Sequence, residues 1–145
     1  MPKAKRKILV VEDSPVEQTL LQKILRNNGY EVYAAWSGEE CFRLASAKKP
    51  DAILMDIIFP VGDGKEMAKQ LLENEETKDI PILFMSNTID AREDKGSEIF
   101  EISGRVFRAF AKPLHQQRIL SAIRKEINRR ESGGELPKPI KDKLK

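Results

Sequence analysis

Four short apolar runs in this sequence each end in residues able to handle charge. Ile8-Leu9-Val10-Val11 leads into Glu12-Asp13, Ala52-Ile53-Leu54-Met55 into Asp56, Pro81-Ile82-Leu83-Phe84-Met85 into Ser86, and the run from Val106 to Ala111 into Lys112-Pro113. If the runs lie side by side as parallel strands, three carboxylates, a hydroxyl and an ammonium meet on one rim. Carboxylates packed so closely repel and raise each other's pKa unless a cation intervenes. A hard divalent ion with oxygen ligands and retained waters, Mg2+ above all, suits the set. The lysine supplies positive charge for a phosphoryl oxygen, and the serine hydroxyl can donate to another. A carboxylate, a metal and anion-stabilising donors are what phosphoryl transfer to an aspartate requires.

The elements that must position these groups alternate along the chain. After Asp13-Ser14-Pro15, the residues Val16, Leu20, Ile24 and then Leu21, Leu25 recur at helical spacing, and Asn28-Gly29 ends that helix. Val32 to Trp36 reads as a second strand, and Ser37-Gly38 opens a helix through Cys41, Leu44 and Ala45 to Lys48. Gly64 to Leu72 is a third helix, a weakly amphipathic fourth runs from about Asp90 to Ile102, and Ile119, Leu120, Ile123 and Ile127 mark a fifth. Five βα units predict an α/β fold: a doubly wound, five-stranded parallel sheet with helices on both faces. In such sheets ligands bind beyond the carboxyl ends of the strands.

Charge and composition remove several alternatives. The 145 residues carry a net charge of +3 with a pI near 9.0, but residues 8–130 hold 18 basic and 20 acidic side chains, net −2. The basic excess belongs to the ends, so neither a nucleic-acid nor a membrane partner is expected. No apolar run approaches the ~20 residues of a membrane span. A single cysteine, Cys41, excludes a disulfide framework and a cysteine-based zinc site, and a reduced, cytoplasmic protein is the default. The expected organisation is a basic arm over 1–6, a domain over 7–130 and a flexible tail over 131–145.

The sequence resembles the response regulator receiver domains of the CheY-like family, over residues 7–130 or so. The resemblance rests on Glu12-Asp13, on Asp56-Ile57-Ile58-Phe59-Pro60-Val61-Gly62-Asp63-Gly64 (the pattern D-x-x-x-P-x-x-D-G), on Ser86 and on Lys112-Pro113. It implies a flavodoxin-like strand order 2-1-3-4-5 and a phosphoacceptor switch rather than an enzyme. Asp56 would accept a phosphoryl group from a histidine kinase or histidine phosphotransfer protein. Asp13 and Asp56 would ligate Mg2+ with the backbone carbonyl of Ile58, Glu12 would assist through water, and Ser86 and Lys112 would hold phosphoryl oxygens.

Output would pass to a downstream effector protein, since nothing after Arg130 is large enough for an effector domain, and a stand-alone receiver is expected. Pairing with a second copy stays open. So does the alternative of a receiver-fold scaffold that binds without phosphorylation. The chain departs from the family pattern in three places. Asn87 stands where a small residue is common, Ala109 where relatives place Tyr or Phe, and the segment from Ser86 to Lys112 is a few residues longer than usual.

Overall fold

The computed structural model describes residues 5–57, 64–86, 98–112 and 115–131. Its elements are β1 (Lys7–Val11), α1 (Pro15–Asn27), β2 (Glu31–Ala35), α2 (Gly38–Lys48), β3 (Ala52–Asp56), α3 (Gly64–Leu72), β4 (Ile82–Ser86), β5 (Glu98–Ile102), β6 (Arg105–Ala111) and α4 (Gln116–Glu131). The sheet runs β2-β1-β3-β4-β6-β5. Every pair from β2 to β6 is parallel, so the expected five-stranded parallel sheet is present in the expected order.

A sixth strand joins it. β5 lies antiparallel on the outer side of β6, with Ile102 opposite Arg105. This corrects the helix expected from Asp90 to Ile102: its last five residues, Glu98–Ile102, are a strand, and residues 90–97 lie outside the described residues. The cause is the turn that follows. Ser103 has φ 51° and Gly104 φ 81°, the pair of positive values a tight two-residue hairpin turn demands. Such a turn returns the chain against its own strand, which a helix ending at Ile102 would not permit.

Alternation along the strands divides the core. Leu9 and Val11 face one layer with Ile53, Met55, Phe84, Phe107 and residues of α2 and α3. Ile8 and Val10 face the other with Leu54, Leu83, Met85, Phe110 and residues of α1 and α4. α4 docks through Ile119, Ile123 and Ile127, one per turn; burying such a side chain stabilises by about 2 kcal/mol. α1 buries Gln18, Leu21 and Leu25. The stripe that begins with Val16 and Leu20 instead faces outward, both residues being exposed. Cys41 is fully buried, as its helix face implied, and burial pushes its thiol up to about 12. Among the described residues no helix is long and apolar enough to cross a membrane.

Candidate functional site

Parallel pairing brings the carboxyl ends of β1, β3, β4 and β6 into line. Val11 pairs with Met55, Asp56 with Met85, and Ser86 with Ala111. Glu12, Asp56, Ser86 and Lys112 therefore stand at neighbouring strand ends, and the Lys112 N–H donates to the Ser86 carbonyl at 2.9 Å. Ser86 is fully buried. Ile58, expected to lend its carbonyl to a metal, lies outside the described residues, as do Pro113 and Asn87.

Lys112 is the hub. Its Nζ donates to Glu12 Oε2 at 2.6 Å, Asp56 Oδ2 at 2.8 Å and Glu17 Oε2 at 2.6 Å. The lysine side chain is 5% exposed and that of Glu12 1%, so these charges sit largely out of water. Burial alone would lower the Lys112 pKa. The hydrogen bonds from the ammonium to Asp56, Glu12 and Glu17 outweigh burial and hold it well above its usual value. Burial raises Glu12 from 4.5 to about 7, against the opposing bond from Lys112. Burial also pushes Glu17 upward, but its contacts with Lys112 and Glu12 prevail and hold its carboxyl below the ordinary value.

The acidic residues also group without the lysine. Glu12, Asp13 and Asp56 each offer a carboxylate oxygen, all within 4.8 Å of one another. An all-oxygen donor set of this charge suits a hard divalent cation, so the residues present fit the metal expected from sequence.

Two residues at the site were not singled out from sequence. Gln18 sits fully buried on the apolar face of α1, where its Nε2 approaches the carbonyls of Val10 at 3.2 Å, Glu12 at 3.1 Å and Ala35 at 3.4 Å. It stitches the ends of β1 and β2 beneath the acidic pair. A glutamine in step with Leu21 and Leu25 was the available signal. Glu17 is the other. It is the fourth residue of Ser14-Pro15-Val16-Glu17, a sequence that reads as a helix cap, and Ser14 Oγ does accept the Glu17 N–H at 3.3 Å.

Gly64 fixes the entry to α3. Its N–H donates to the Ile57 carbonyl at 2.8 Å. A Cβ built there would lie 2.3 Å from the Asp56 carbonyl oxygen and 2.7 Å from that of Ile57. Only glycine permits this approach to the Asp56 backbone. Behind the site, Ala109 is 1% exposed, and Phe84 and Phe107 meet edge to face with ring centroids 5.8 Å apart. Phe107 shares the core layer of Ala109 while Phe110 belongs to the opposite one, as alternation along β6 requires.

Stability of the metal-free protein should depend on pH through Glu12. Between 4.5 and about 7 the folded state holds this proton and the unfolded chain releases it. The stabilisation is complete below the unfolded value and is lost as pH rises through the folded one. The lowered value of Glu17 acts oppositely, and only below the ordinary carboxylate range. Urea midpoints in a chelator are therefore expected to fall from pH 5 to pH 8, and Glu12→Gln to remove most of that fall. An unchanged slope in the variant would refute the assignment.

Comparison with known proteins agrees with this arrangement. The model of the response regulator receiver domain family matches residues 8–124. Protein PilH of Pseudomonas aeruginosa is 38% identical over 89 residues, covering 61% of this chain and 73% of PilH. The polar-differentiation response regulator DivK of Brucella ovis is 31% identical over 119 residues, covering 82% of this chain and 94% of DivK. Among solved structures, the receiver domain of a sensor histidine kinase from Pseudomonas aeruginosa superposes with a TM-score of 0.70 at 29% identity, over 86% of this chain and 99% of that one. That structure has a magnesium ion coordinated in its active-site cleft.

Proposed function

This chain belongs to the response regulator receiver domain family, and from that premise we propose that it is a phosphorylation-controlled binding module in which Asp56 takes a phosphoryl group from a histidine kinase or histidine phosphotransfer protein. The observation that carries the reading is the position of Asp56: 2.8 Å from the Lys112 ammonium and in one oxygen cluster with Glu12 and Asp13. As an Asp56 oxygen bonds to phosphorus, the bond between phosphorus and the donor's histidine nitrogen breaks, and the electron pair leaves with the imidazole. Lys112 turns toward the incoming phosphoryl oxygens, and the Ser86 hydroxyl is at the adjacent strand end to donate to another. Glu12, Asp13 and Asp56 would hold Mg2+, whose role is to offset charge on the phosphoryl group and on the clustered carboxylates. The magnesium in the related kinase receiver supports that choice of ion.

The proposed body spans 7–130, between an arm over 1–6 and a tail over 131–145. A seat for the donor protein adjoins the rim. Val16 is 78% exposed and Leu20 53%, one turn apart on the outer side of α1, and Trp36, just past the end of β2, is 42% exposed. Apolar side chains this open beside a charged site suit a partner's apolar face. Output through a downstream effector rests on the family premise.

Incubation with acetyl phosphate and Mg2+ tests the reading. An acid-labile, hydroxylamine-sensitive mass increase is expected on the native protein and none on Asp56→Asn. Equal labelling of both would move the acceptor elsewhere, and no labelling of either would favour the phosphorylation-independent scaffold.

A further inference from the structure

We propose that Glu17 is a positioning residue for phosphoryl transfer, the anchor on α1 that keeps the Lys112 ammonium aimed at Asp56. The inference rests on the phosphoacceptor reading above and names a residue that the acidic triad does not contain. A lysine ammonium has three N–H donors. Three carboxylate oxygens surround this one, from Glu12, Glu17 and Asp56 at 2.6, 2.6 and 2.8 Å. Their roles diverge once transfer begins. The Asp56 oxygen that bonds to phosphorus becomes the bridging oxygen of an acyl phosphate, a much weaker acceptor, so the Lys112 N–H that faced it is the one released to the new phosphoryl oxygens. Glu12 belongs to the metal cluster, and its other oxygen already accepts the Ser14 N–H at 3.1 Å. Glu17 lies outside that cluster, so its hold on the lysine can persist throughout the reaction.

Local structure explains how a first-turn glutamate reaches a strand 95 residues away. In an ordinary capping box, Ser at the N-cap accepts from the third helical residue, whose Glu folds back onto the N-cap N–H. Half of that arrangement is present, Ser14 Oγ accepting from the Glu17 N–H. The Ser14 N–H is taken by Glu12 instead, which leaves the Glu17 carboxylate to extend across the rim to Lys112. The side chain of Glu17 is about one-third exposed, against 5% for the lysine, so it approaches from the solvent side and closes the ammonium in.

Glu17→Ala and Glu17→Gln separate position from charge, because both remove one negative charge while only glutamine keeps an oxygen acceptor in place. With acetyl phosphate and Mg2+, the alanine variant is expected to label about threefold to tenfold more slowly than the glutamine variant, as a loosened group beside a reacting atom does. The Lys112 ammonium is read separately by 15N-edited NMR. Its cross-peak is expected in the native protein and in Glu17→Gln, and is expected to broaden through faster proton exchange in Glu17→Ala. Equal labelling rates in the two variants, or an unaltered Lys112 signal in a folded Glu17→Ala protein, would overturn the proposal. Failure of the native protein to label would instead count against the phosphoacceptor reading, with the NMR comparison still deciding whether Glu17 holds the lysine.

Discussion

Replacement of Lys112 by methionine is expected to make the stability of this fold depend on a divalent cation. Methionine keeps much of the apolar stem and removes the charge. Glu12, Asp56 and Glu17 then converge on a neutral side chain in a site where the lysine was 5% exposed. Removing one partner from a buried charge network costs about 3–5 kcal/mol. For a domain of this size that corresponds to a fall in Tm of roughly 10 °C or more.

Two treatments should reverse the loss. Burial already raises Glu12 to about 7 while Lys112 opposes it, so without the lysine this carboxyl holds its proton more tightly and mild acid restores stability. Mg2+, no longer facing an ammonium, binds more strongly and stabilises in proportion to the logarithm of its concentration over Kd. Thermal unfolding at pH 6 and pH 8, with chelator or with Mg2+, checks both. The deficit against the native protein should be largest at pH 8 in chelator and smallest in Mg2+. Equal Tm values at pH 8 in chelator would mean that the three-way contact does not persist in solution.

Gly64→Ala is expected to injure stability and phosphoacceptance together. The added methyl group meets the backbone oxygens of Asp56 and Ile57 at 2.3 and 2.7 Å, and backbone cannot rotate aside as a side-chain tip can. Overpacking costs typically 1–3 kcal/mol, and with two carbonyls in the way the upper end is expected, a fall in Tm of roughly 10 °C. The backbone that shifts is that of the proposed nucleophile, and displacement by about 1 Å can slow a positioned reaction a hundredfold. Gly38→Ala is the internal control. There the nearest atom is the terminal methyl of Met67 at 2.7 Å, the flexible end of a side chain. A change of less than about 1 kcal/mol is expected at Gly38. Equal losses in the two variants would remove the special role given to Gly64.

The parts of this protein legible in its sequence are those with one dominant local cause. Continuous apolar runs such as Ile8–Val11 and Ala52–Met55 are too short for a buried helix and lie beside Ser14-Pro15 and Pro50-Asp51, so they read as covered parallel strands. A parallel sheet then places Glu12, Asp56, Ser86 and Lys112 at one end. The segment before Ser103 was harder because Ile99 and Ile102 stand three apart, a spacing that fits a helix, while the run is too short for periodicity to decide. Ser103-Gly104 carried the hairpin signal. Glu17 escaped notice for a different reason: its spacing from Ser14 is explained by capping alone, and only the diversion of the Ser14 N–H to Glu12 shows the carboxylate to be available elsewhere. The outward turn of Val16 and Leu20 is of the same kind. Their periodicity was sound, but α1 seats itself through Gln18, Leu21 and Leu25, and a polar residue on the buried face conceals which stripe packs.

The hairpin also decides which strand the sheet offers to the outside. In a five-stranded receiver sheet the strand carrying the lysine is the last one, with one row of peptide groups unpaired. Here β6 is bonded on both flanks, by β4 and by β5. A foreign strand seeking to extend the sheet at this end meets a strand of only five residues on which Glu101 is exposed, a short border of the sort that discourages edge-to-edge aggregation. The same border delays hydrogen exchange along the lysine's strand, since its amides on the hairpin side open only when the hairpin does.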